Sequence, residues 1–145
     1  MARIKIDLPP GFSFETEIPV RITDLNYGKH VGNDTVLSII HEARVRYLAS
    51  LGYTEMNLEG VGLIMADTAI EFKKEIFYPS TLRVAVTAGD FSRVGFDLYY
   101  EIRIVEGEKT TVAVAAKTGM VCFDYEKRKV AAVPTAALAK LGAAI

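Results

Sequence analysis

Residues 24–44 read D-L-N-Y-G-K-H-V-G-N-D-T-V-L-S-I-I-H-E-A-R, and this stretch decides how the rest of the chain is interpreted. Its first ten residues are mostly polar and contain two glycines, whereas apolar residues recur at helical spacing in the remainder. The pattern predicts a polar loop that runs directly into an amphipathic helix. Four polar side chains lie in this loop, namely Asp24, Asn26, His30 and Asn33. Such a concentration of polar groups is the main sign that the protein carries out chemistry.

The helix is predicted over residues 35–51. Its apolar positions follow the helical period and are Val36, Ile39, Ile40, Ala43, Tyr47, Leu48 and Leu51. We expect Asn33 or Asp34 to be the N-cap, because either side chain can accept a hydrogen bond from the free amides of the first turn. Gly52 is expected to end the helix, and a shorter helical turn is expected over residues 54–58.

Alternating polar and apolar residues predict strands on both sides of this helix. Residues 15–23 alternate in this way, and Pro19 favours a sheet edge because proline cannot donate a ladder hydrogen bond. Beyond Gly62 the sequence predicts further strands over residues 63–74, 82–91, 96–105, 110–123 and 129–133. Their connections are short, which favours antiparallel pairing between strands that follow one another in the chain. A last helix is predicted over residues 135–141.

Composition limits the class of protein. The 145 residues suffice for a single domain, 1–145, with its own core. A net charge of -1, from 17 basic and 18 acidic residues, argues against nucleic acid as a partner, because phosphate binding needs a concentrated basic surface. The single cysteine, Cys122, is expected to be a buried thiol in a reducing compartment. Because the sequence shows no signal peptide and no membrane-spanning run, we expect a cytoplasmic protein without a membrane partner.

The predicted order of elements indicates an α+β fold. One strand precedes a long helix and antiparallel strands follow it, so a single long helix has to cover one broad sheet. A sheet with one helix to cover it usually needs the surface of a second copy. We therefore expect a homodimer or a homotetramer.

Two segments of the quoted region resemble a known signature. R-I-T-D-L-N-Y-G-K-H-V-G-N (21–33) and H-E-A-R (41–44) are similar to the R-x-x-D-x-D-x-x-G-H-V-N-N and E-x-A-R motifs of hot-dog-fold acyl-CoA thioesterases, of the 4-hydroxybenzoyl-CoA thioesterase type. The resemblance continues through the later strands and covers about residues 15–140. It implies a hot-dog fold, in which an antiparallel sheet wraps a long central helix. It also implies an enzyme that hydrolyses an acyl-CoA thioester to a free acid and CoA. The matching positions are Arg21, Asp24, His30, Val31, Asn33, Glu42, Ala43 and Arg44.

The sequence departs from this signature at a position that matters for catalysis. The family's second Asp, its usual nucleophile or general base, is Asn26 here, and Asn cannot take up a proton as a carboxylate can. Lys29 and Gly32 stand where the motif has a Gly and an Asn. A structural alternative for Asn26 is a turn residue in the left-handed conformation. These departures keep a second interpretation open, in which the protein is a non-catalytic module that binds acyl-CoA or an acyl-carrier protein.

The remaining polar residues of the loop and the helix start have roles in the proposed chemistry. Thioester hydrolysis needs an activated water or a carboxylate, together with donors to the developing oxyanion. The helix start at Asn33, Asp34 and Thr35 would bind the thioester carbonyl, because a helix N-terminus favours negative charge. Asn26 would orient the water or hydrogen-bond the thioester carbonyl, and His30 would donate to the carbonyl oxygen or position Asn26.

Asp24 and Glu42 are the two carboxylates expected to act as the base. Glu42 lies four residues after Ser38, which places both side chains on one flank of the helix. Each carboxylate also has a structural interpretation. Glu42 can pair with Arg46, and Asp24 can pair with Arg21 or shape the loop.

Residues near turns are candidates for binding the CoA moiety, namely Ser92, Arg93 and Lys73 or its neighbour Lys74. Solvated charge at strand ends is an alternative explanation for each of them. No cofactor is expected beyond CoA, which is part of the substrate. No metal site is expected either, because His30, His41 and the distant Cys122 do not have the spacing of zinc ligands.

Overall fold

Helix α1 (Asn33–Ser50) and a six-stranded antiparallel sheet make up most of the computed structural model, which describes residues 2–143. Neither helix of this region has the length and hydropathy needed to span a bilayer. The predicted α+β class, with one long helix and one antiparallel sheet, is confirmed. The other elements are β1 (Phe14–Pro19), a 3-10 turn (Ile22–Asp24), β2 (Gly62–Phe72), β3 (Thr81–Gly89), β4 (Gly95–Glu106), β5 (Lys109–Asp124), β6 (Lys129–Val130) and α2 (Thr135–Leu141).

The strand order is β1-β3-β4-β5-β2, with β6 paired to β5. Short turns make β3 and β4, and β4 and β5, antiparallel neighbours as predicted. The expected pairing of β2 with β3 is wrong, since β2 pairs with β5. The reason is that residues 73–80 do not form a tight turn. Ile76, in the middle of this connection, accepts a hydrogen bond from Val31 N at 2.8 Å, so the connection runs beside the loop 24–33.

The core lies between α1 and one face of the sheet. Alternate residues of β4 are buried there, including Leu98 and Tyr100, and Ile40 and Leu48 of α1 belong to the same cluster. Burial of each large apolar side chain stabilises the fold by about 1.5–3 kcal/mol. Cys122 of β5 is completely buried, as predicted.

The long helix begins two residues earlier than predicted. Gly32 is the N-cap and provides no side-chain hydrogen bond, so the expectation of an Asn33 or Asp34 N-cap is wrong. The carbonyl of Gly32 already accepts a hydrogen bond from Val36 N at 3.1 Å, which places residue 33 inside the first turn. At the other end Gly52, with a φ of 84°, follows the last turn as predicted.

Residues 54–58 do not form the expected helical turn. Two isolated bridges, Thr54 with Asn57 and Leu58 with Val61, occur there instead. The Thr54 hydroxyl accepts a hydrogen bond from Asn57 N at 3.1 Å, so a side chain competes with the helical backbone pattern.

Strand β1 is shorter than predicted, because it ends at Pro19 and not at residue 23. The chain then turns sharply, and Asp24 stabilises this turn by accepting a hydrogen bond from Arg21 N at 2.7 Å. β1 lies at one edge of the sheet, as predicted from its proline. The turn delivers the chain from the end of β1 to the loop 24–33, which in turn leads into α1.

Candidate active site

The backbone of the loop 24–33 closes on itself. Gly32 N donates to Asp24 O at 3.2 Å, and Asn26 N donates to His30 O at 2.9 Å. These bonds hold the two ends of the loop together beside the start of α1. The polar side chains of the loop are therefore carried on a fixed backbone.

Asn26 stabilises this loop through its side chain. Its Oδ1 accepts a hydrogen bond from Gly28 N at 2.8 Å, which is an Asx turn. The left-handed backbone expected for Asn26 in its structural role occurs at Lys29 instead, with a φ of 66°. Asn26 is thus a turn residue by its side chain and not by its backbone conformation.

Gly32, at the start of α1, leaves the first turn of the helix without a side-chain cap. Its φ of -66° and ψ of 149° suit any residue, so glycine is not required there for its conformation. Space is the constraint. An ideal Cβ on residue 32 would lie 2.6 Å from Asp34 Oδ1 and 3.6 Å from both the Asn26 Cβ and the Thr35 Oγ1. Three polar side chains therefore surround the backbone of Gly32.

The predicted carboxylates line one cavity of about 200 Å³ between the end of β1 and α1. We call it the β1-side cavity, and its polar lining includes Arg21, Asp24, Thr35, Ser38, Glu42 and Arg46. The predicted placement of Ser38 and Glu42 on one flank of the helix is confirmed.

Both of these carboxylates already have partners. Asp24 is buried, and its Oδ1 lies 3.4 Å from the guanidinium of Arg21. Glu42 Oε2 lies 2.9 Å from Arg46 Nε. The ion pair expected from a structural role is thus present at both Asp24 and Glu42.

His30 lines a different cavity, of about 190 Å³, beside the connection from β2 to β3. We call it the crossover cavity, and Asn33 and Lys73 also line it. The Nδ1 of His30 lies 3.2 Å from Val31 O, and its Nε2 lies 4.0 Å from Glu75 Oε1. Of the predicted catalytic residues, Asp24 and Glu42 therefore line one cavity and His30 lines another, and Asn26 is not part of either lining.

Asp34 borders a third cavity, of about 280 Å³, between α1 and β2. We call it the β2-side cavity, and the residues that line it are Asp34, Leu37, Ser38, His41, Arg44 and Met65. Ser38 belongs to both this cavity and the β1-side cavity. Among residues 2–143, Asp34 has no salt-bridge partner, unlike Asp24 and Glu42.

A buried polar network below the β2-side cavity was not predicted from the sequence. Arg44 Nε donates to Glu55 Oε1 at 3.1 Å, and Arg44 Nη1 donates to Tyr100 Oη at 3.4 Å. The Tyr100 hydroxyl also lies 2.8 Å from Thr118 Oγ1. An available signal was the position of Arg44, four residues after Ile40 on the core-facing stripe of α1.

Burial and charge act in opposite directions in this network. Burial alone would lower the pKa of Arg44, but Tyr100 and Glu55 raise it above its ordinary value, so the guanidinium stays charged. Burial raises the pKa of Tyr100, which therefore stays a neutral hydroxyl. The network connects α1 to the sheet through Arg44 and Tyr100, and Glu55 balances the charge of Arg44.

The residues predicted to bind CoA do not come together within one chain. Ser92 and Arg93 follow β3, at the end of the sheet remote from the loop 24–33. Ser92 Oγ donates to Gly95 O at 3.3 Å and so stabilises the turn between β3 and β4. Lys73, by contrast, borders the crossover cavity with His30.

Comparison with known families gives one family model that covers most of the chain. It is described as the thioesterase-like superfamily and matches residues 20–141. No curated protein sequence matches the chain.

Solved structures of similar fold include several thioesterases. DHNA-CoA thioesterase from Staphylococcus aureus is 25% identical, with a TM-score of 0.72, over 81% of this chain and 78% of that one. A 1,4-dihydroxy-2-naphthoyl-CoA thioesterase from Synechocystis is 24% identical, with a TM-score of 0.78, over 88% and 94%. An Asp-to-Asn mutant of 4-hydroxybenzoyl CoA thioesterase, complexed with 4-hydroxybenzoyl CoA, is 15% identical, with a TM-score of 0.79, over 89% and 98%. The expected hot-dog fold is confirmed.

Proposed function

The chain belongs to the thioesterase-like superfamily, and we propose that it hydrolyses an acyl-CoA thioester to a free acid and CoA. The observation that carries this proposal is the start of α1. There, a helix of 18 residues follows Gly32, an N-cap residue without a side-chain hydrogen bond, beside a loop with Asn26 and His30. Uncapped amides at the positive end of a long helix are suited to bind the oxygen of a thioester carbonyl.

The amides of the first turn, at Asn33, Asp34 and Thr35, would stabilise the charge that develops on this oxygen. Preorganised donors of this kind contribute most in a site from which water is excluded, because they need no reorientation during the reaction. Asn26 and His30 would hold the thioester and the attacking water on the loop side of the helix start. Asn26 stands on a fixed loop, since its Oδ1 is bonded to Gly28 N.

A carboxylate that lines one of the cavities along α1 would activate the water. The three candidates are Asp24, Asp34 and Glu42. The carboxylate takes a proton from water, and the water oxygen forms a bond to the thioester carbon. The carbon–sulfur bond then breaks, and the proton passes to the thiolate of CoA.

We propose that the functional unit is a homodimer or a homotetramer. Strand β2 ends the sheet with one unpaired side, and its Ile64 and Met65 are 37% and 41% exposed. A second copy would also explain Ser92 and Arg93, which follow the end of β3 that is remote from the loop of their own chain. Sedimentation of the protein at several concentrations tests this state, and a monomer at all of them would contradict it. We place the reaction in the cytoplasm, as expected from the single buried thiol of Cys122.

The test of the proposed activity is the release of free thiol from a panel of acyl-CoAs. The panel includes acetyl, medium-chain, long-chain and aromatic groups, with 1,4-dihydroxy-2-naphthoyl-CoA and 4-hydroxybenzoyl-CoA among the last. Multiple turnover on at least one is expected, and the preferred acyl group would define the shape of the pocket. A folded His30→Ala/Glu42→Ala variant that hydrolyses acyl-CoA as well as the parent would contradict the assigned residues.

A second function is supported by one observation, the amide at position 26. Asn26 cannot act as a base, and its Oδ1 is used within the loop. The protein would then be a non-catalytic module that binds acyl-CoA or an acyl-carrier protein. Saturable binding of acyl-CoA without thiol release across the whole panel would favour this function, and multiple turnover would exclude it.

A further inference from the structure

We propose that Asp34 supplies the carboxylate that activates water in this protein, and that it does so because Gly32 makes room for it. This inference rests on the proposed hydrolysis of an acyl-CoA. It selects one of three carboxylates and gives Asp24 and Glu42 positioning roles.

The Asp34 carboxylate lies beside the backbone of Gly32. Its Oδ1 would lie 2.6 Å from a Cβ on residue 32, so it occupies the volume that any side chain at that position would fill. The Cβ on residue 32 would also lie 3.6 Å from the Cβ of Asn26, so both side chains adjoin this position. The carboxylate is therefore turned back over the N-cap of α1, towards the position where a carboxylate is missing from the loop.

The three carboxylates differ in whether they already have an ionic partner. Asp24 is bonded to the amide and guanidinium of Arg21, and Glu42 forms an ion pair with Arg46. Within the described part of the chain Asp34 has no salt bridge, and it borders the β2-side cavity. A general base must be able to accept a proton and must reach the space where water and thioester can enter.

The sequence departs from the motif at two positions that adjoin the Asp34 carboxylate. The motif that this chain resembles has Asp at the position of Asn26 and Asn at the position of Gly32. A side chain at position 32 would displace the carboxylate of Asp34. Relative to the motif, this chain lacks one carboxylate in the loop and the side chain at position 32. Both differences are compatible with a single rearrangement, in which the first turn of α1 carries the base.

In the step that we assign, one oxygen of the Asp34 carboxylate accepts a proton from water. The water oxygen forms a bond to the carbonyl carbon, and the carbonyl oxygen becomes an oxyanion held by the first-turn amides. When the tetrahedral intermediate collapses, the carbon–sulfur bond breaks. The protonated Asp34 then gives its proton to the thiolate, so that a free acid and a thiol leave and the carboxylate is restored.

The alternative role of Asp34 is purely structural: its negative charge would stabilise α1 by interacting with the positive end of the helix dipole. Kinetics separate the two roles, because a purely structural Asp34 would affect unfolding and leave turnover unchanged. We expect Asp34→Asn to lower kcat by at least about 100-fold on the best substrate of the panel. Asp7→Asn, in the lead-in to β1, is the matched control and is expected to keep the parental kcat. An Asp34→Asn protein that is folded and keeps the parental kcat would overturn the inference.

Gly32→Ala tests the position of the carboxylate without removing it. The backbone at residue 32 suits alanine, so the main consequence is to move the end of the flexible Asp34 side chain. We expect kcat to fall by at least about 10-fold, with little change in the midpoint of thermal unfolding. Gly11→Ala, where an added Cβ meets nothing within 4 Å, is the control.

The outcomes distinguish the two proposals. If the parent protein releases no thiol from any acyl-CoA, both the hydrolase and the role of Asp34 are overturned. If the parent is active and Asp34→Asn or Gly32→Ala is equally active, only the present inference fails.

Discussion

Oε2 of Glu42 lies 2.9 Å from Nε of Arg46, one turn further along α1. Arg46 Nη1 also donates to Thr16 Oγ1 at 2.9 Å and to Glu17 O at 2.8 Å, so this side chain ties α1 to β1. Glu42 therefore helps to fix the wall of the β1-side cavity. This relationship agrees with a positioning role for Glu42.

The two partners of this ion pair should differ in their effect on stability. Arg46→Ala is expected to lower the free energy of unfolding by about 1–3 kcal/mol, because it removes two hydrogen bonds between α1 and β1. Glu42→Gln should cost less than about 0.5 kcal/mol, since the ion pair is about half exposed. Urea denaturation measures both values, and a larger loss for Glu42→Gln would contradict this order.

The buried network predicts that removal of the Tyr100 hydroxyl lowers the free energy of unfolding. Tyr100→Phe leaves Thr118 Oγ1 and an N–H of Arg44 without their partner inside the core. We expect a loss of about 1–3 kcal/mol in the free energy of unfolding, the usual cost of a buried unsatisfied group. Tyr27→Phe, at a fully exposed tyrosine, is the control and should lie within about 0.5 kcal/mol of the parent. Equal stability of the two variants would show that the Tyr100 hydroxyl contributes nothing to the free energy of unfolding.

Cys122 predicts a decrease in stability at alkaline pH. Burial raises the pKa of its thiol from 9.0 to about 11 in the folded protein, whereas the unfolded chain keeps the ordinary value. The folded state therefore holds this proton more tightly, and its contribution to stability is complete below pH 9 and is lost as the pH rises through 11. Linkage limits this loss to about 3 kcal/mol.

Two measurements check this prediction. Urea midpoints from pH 8 to pH 11 should fall less steeply in Cys122→Ala than in the parent, because alanine has no proton to lose. The folded parent should also resist a thiol reagent at pH 8, and rapid modification there would show that the thiol is not buried.

Close backbone packing at Gly95 makes this residue sensitive to the smallest substitution. A Cβ at position 95 would collide with the carbonyl oxygen of Met120 in the neighbouring strand. Because backbone cannot move away as easily as the end of a side chain, we expect Gly95→Ala to cost about 1–3 kcal/mol. Gly11→Ala serves as the control again, and thermal unfolding of both variants measures the difference. A Gly95→Ala protein as stable as the control would be evidence against this strand pairing.

His30 is expected to contribute to turnover through its position beside the helix start. Its Nδ1 lies near Val31 O, which leaves the Nε2 side of the ring to face the crossover cavity and Glu75. His30→Ala should lower kcat/KM by at least about 100-fold on the preferred acyl-CoA, the loss typical of one donor to an oxyanion. Circular dichroism checks that the variant is folded. A parental kcat/KM would assign His30 to packing against Phe77.

Some site residues could be placed from the sequence because their placement depends on local geometry. Ser38 and Glu42 share a flank of α1 through helical spacing alone, and the pairing of Glu42 with Arg46 follows from the same rule. The Arg21 contact of Asp24 is equally local, since three residues separate them. By contrast, the partner of β2 could not be inferred, because strand pairing also depends on where the connection 73–80 runs.

The sequence by itself determined that one long helix follows a polar loop and that antiparallel strands follow the helix, since these features depend on the spacing of apolar residues and on turn composition. Only the tertiary structure decided how the polar groups are divided. It set His30 and Lys73 in one cavity and Asp24 and Glu42 in another, and it turned Asp34 over Gly32. The physical reason is that spacing along a chain fixes neighbours within an element. Contacts between elements depend on how closely two backbones approach, which no short pattern records.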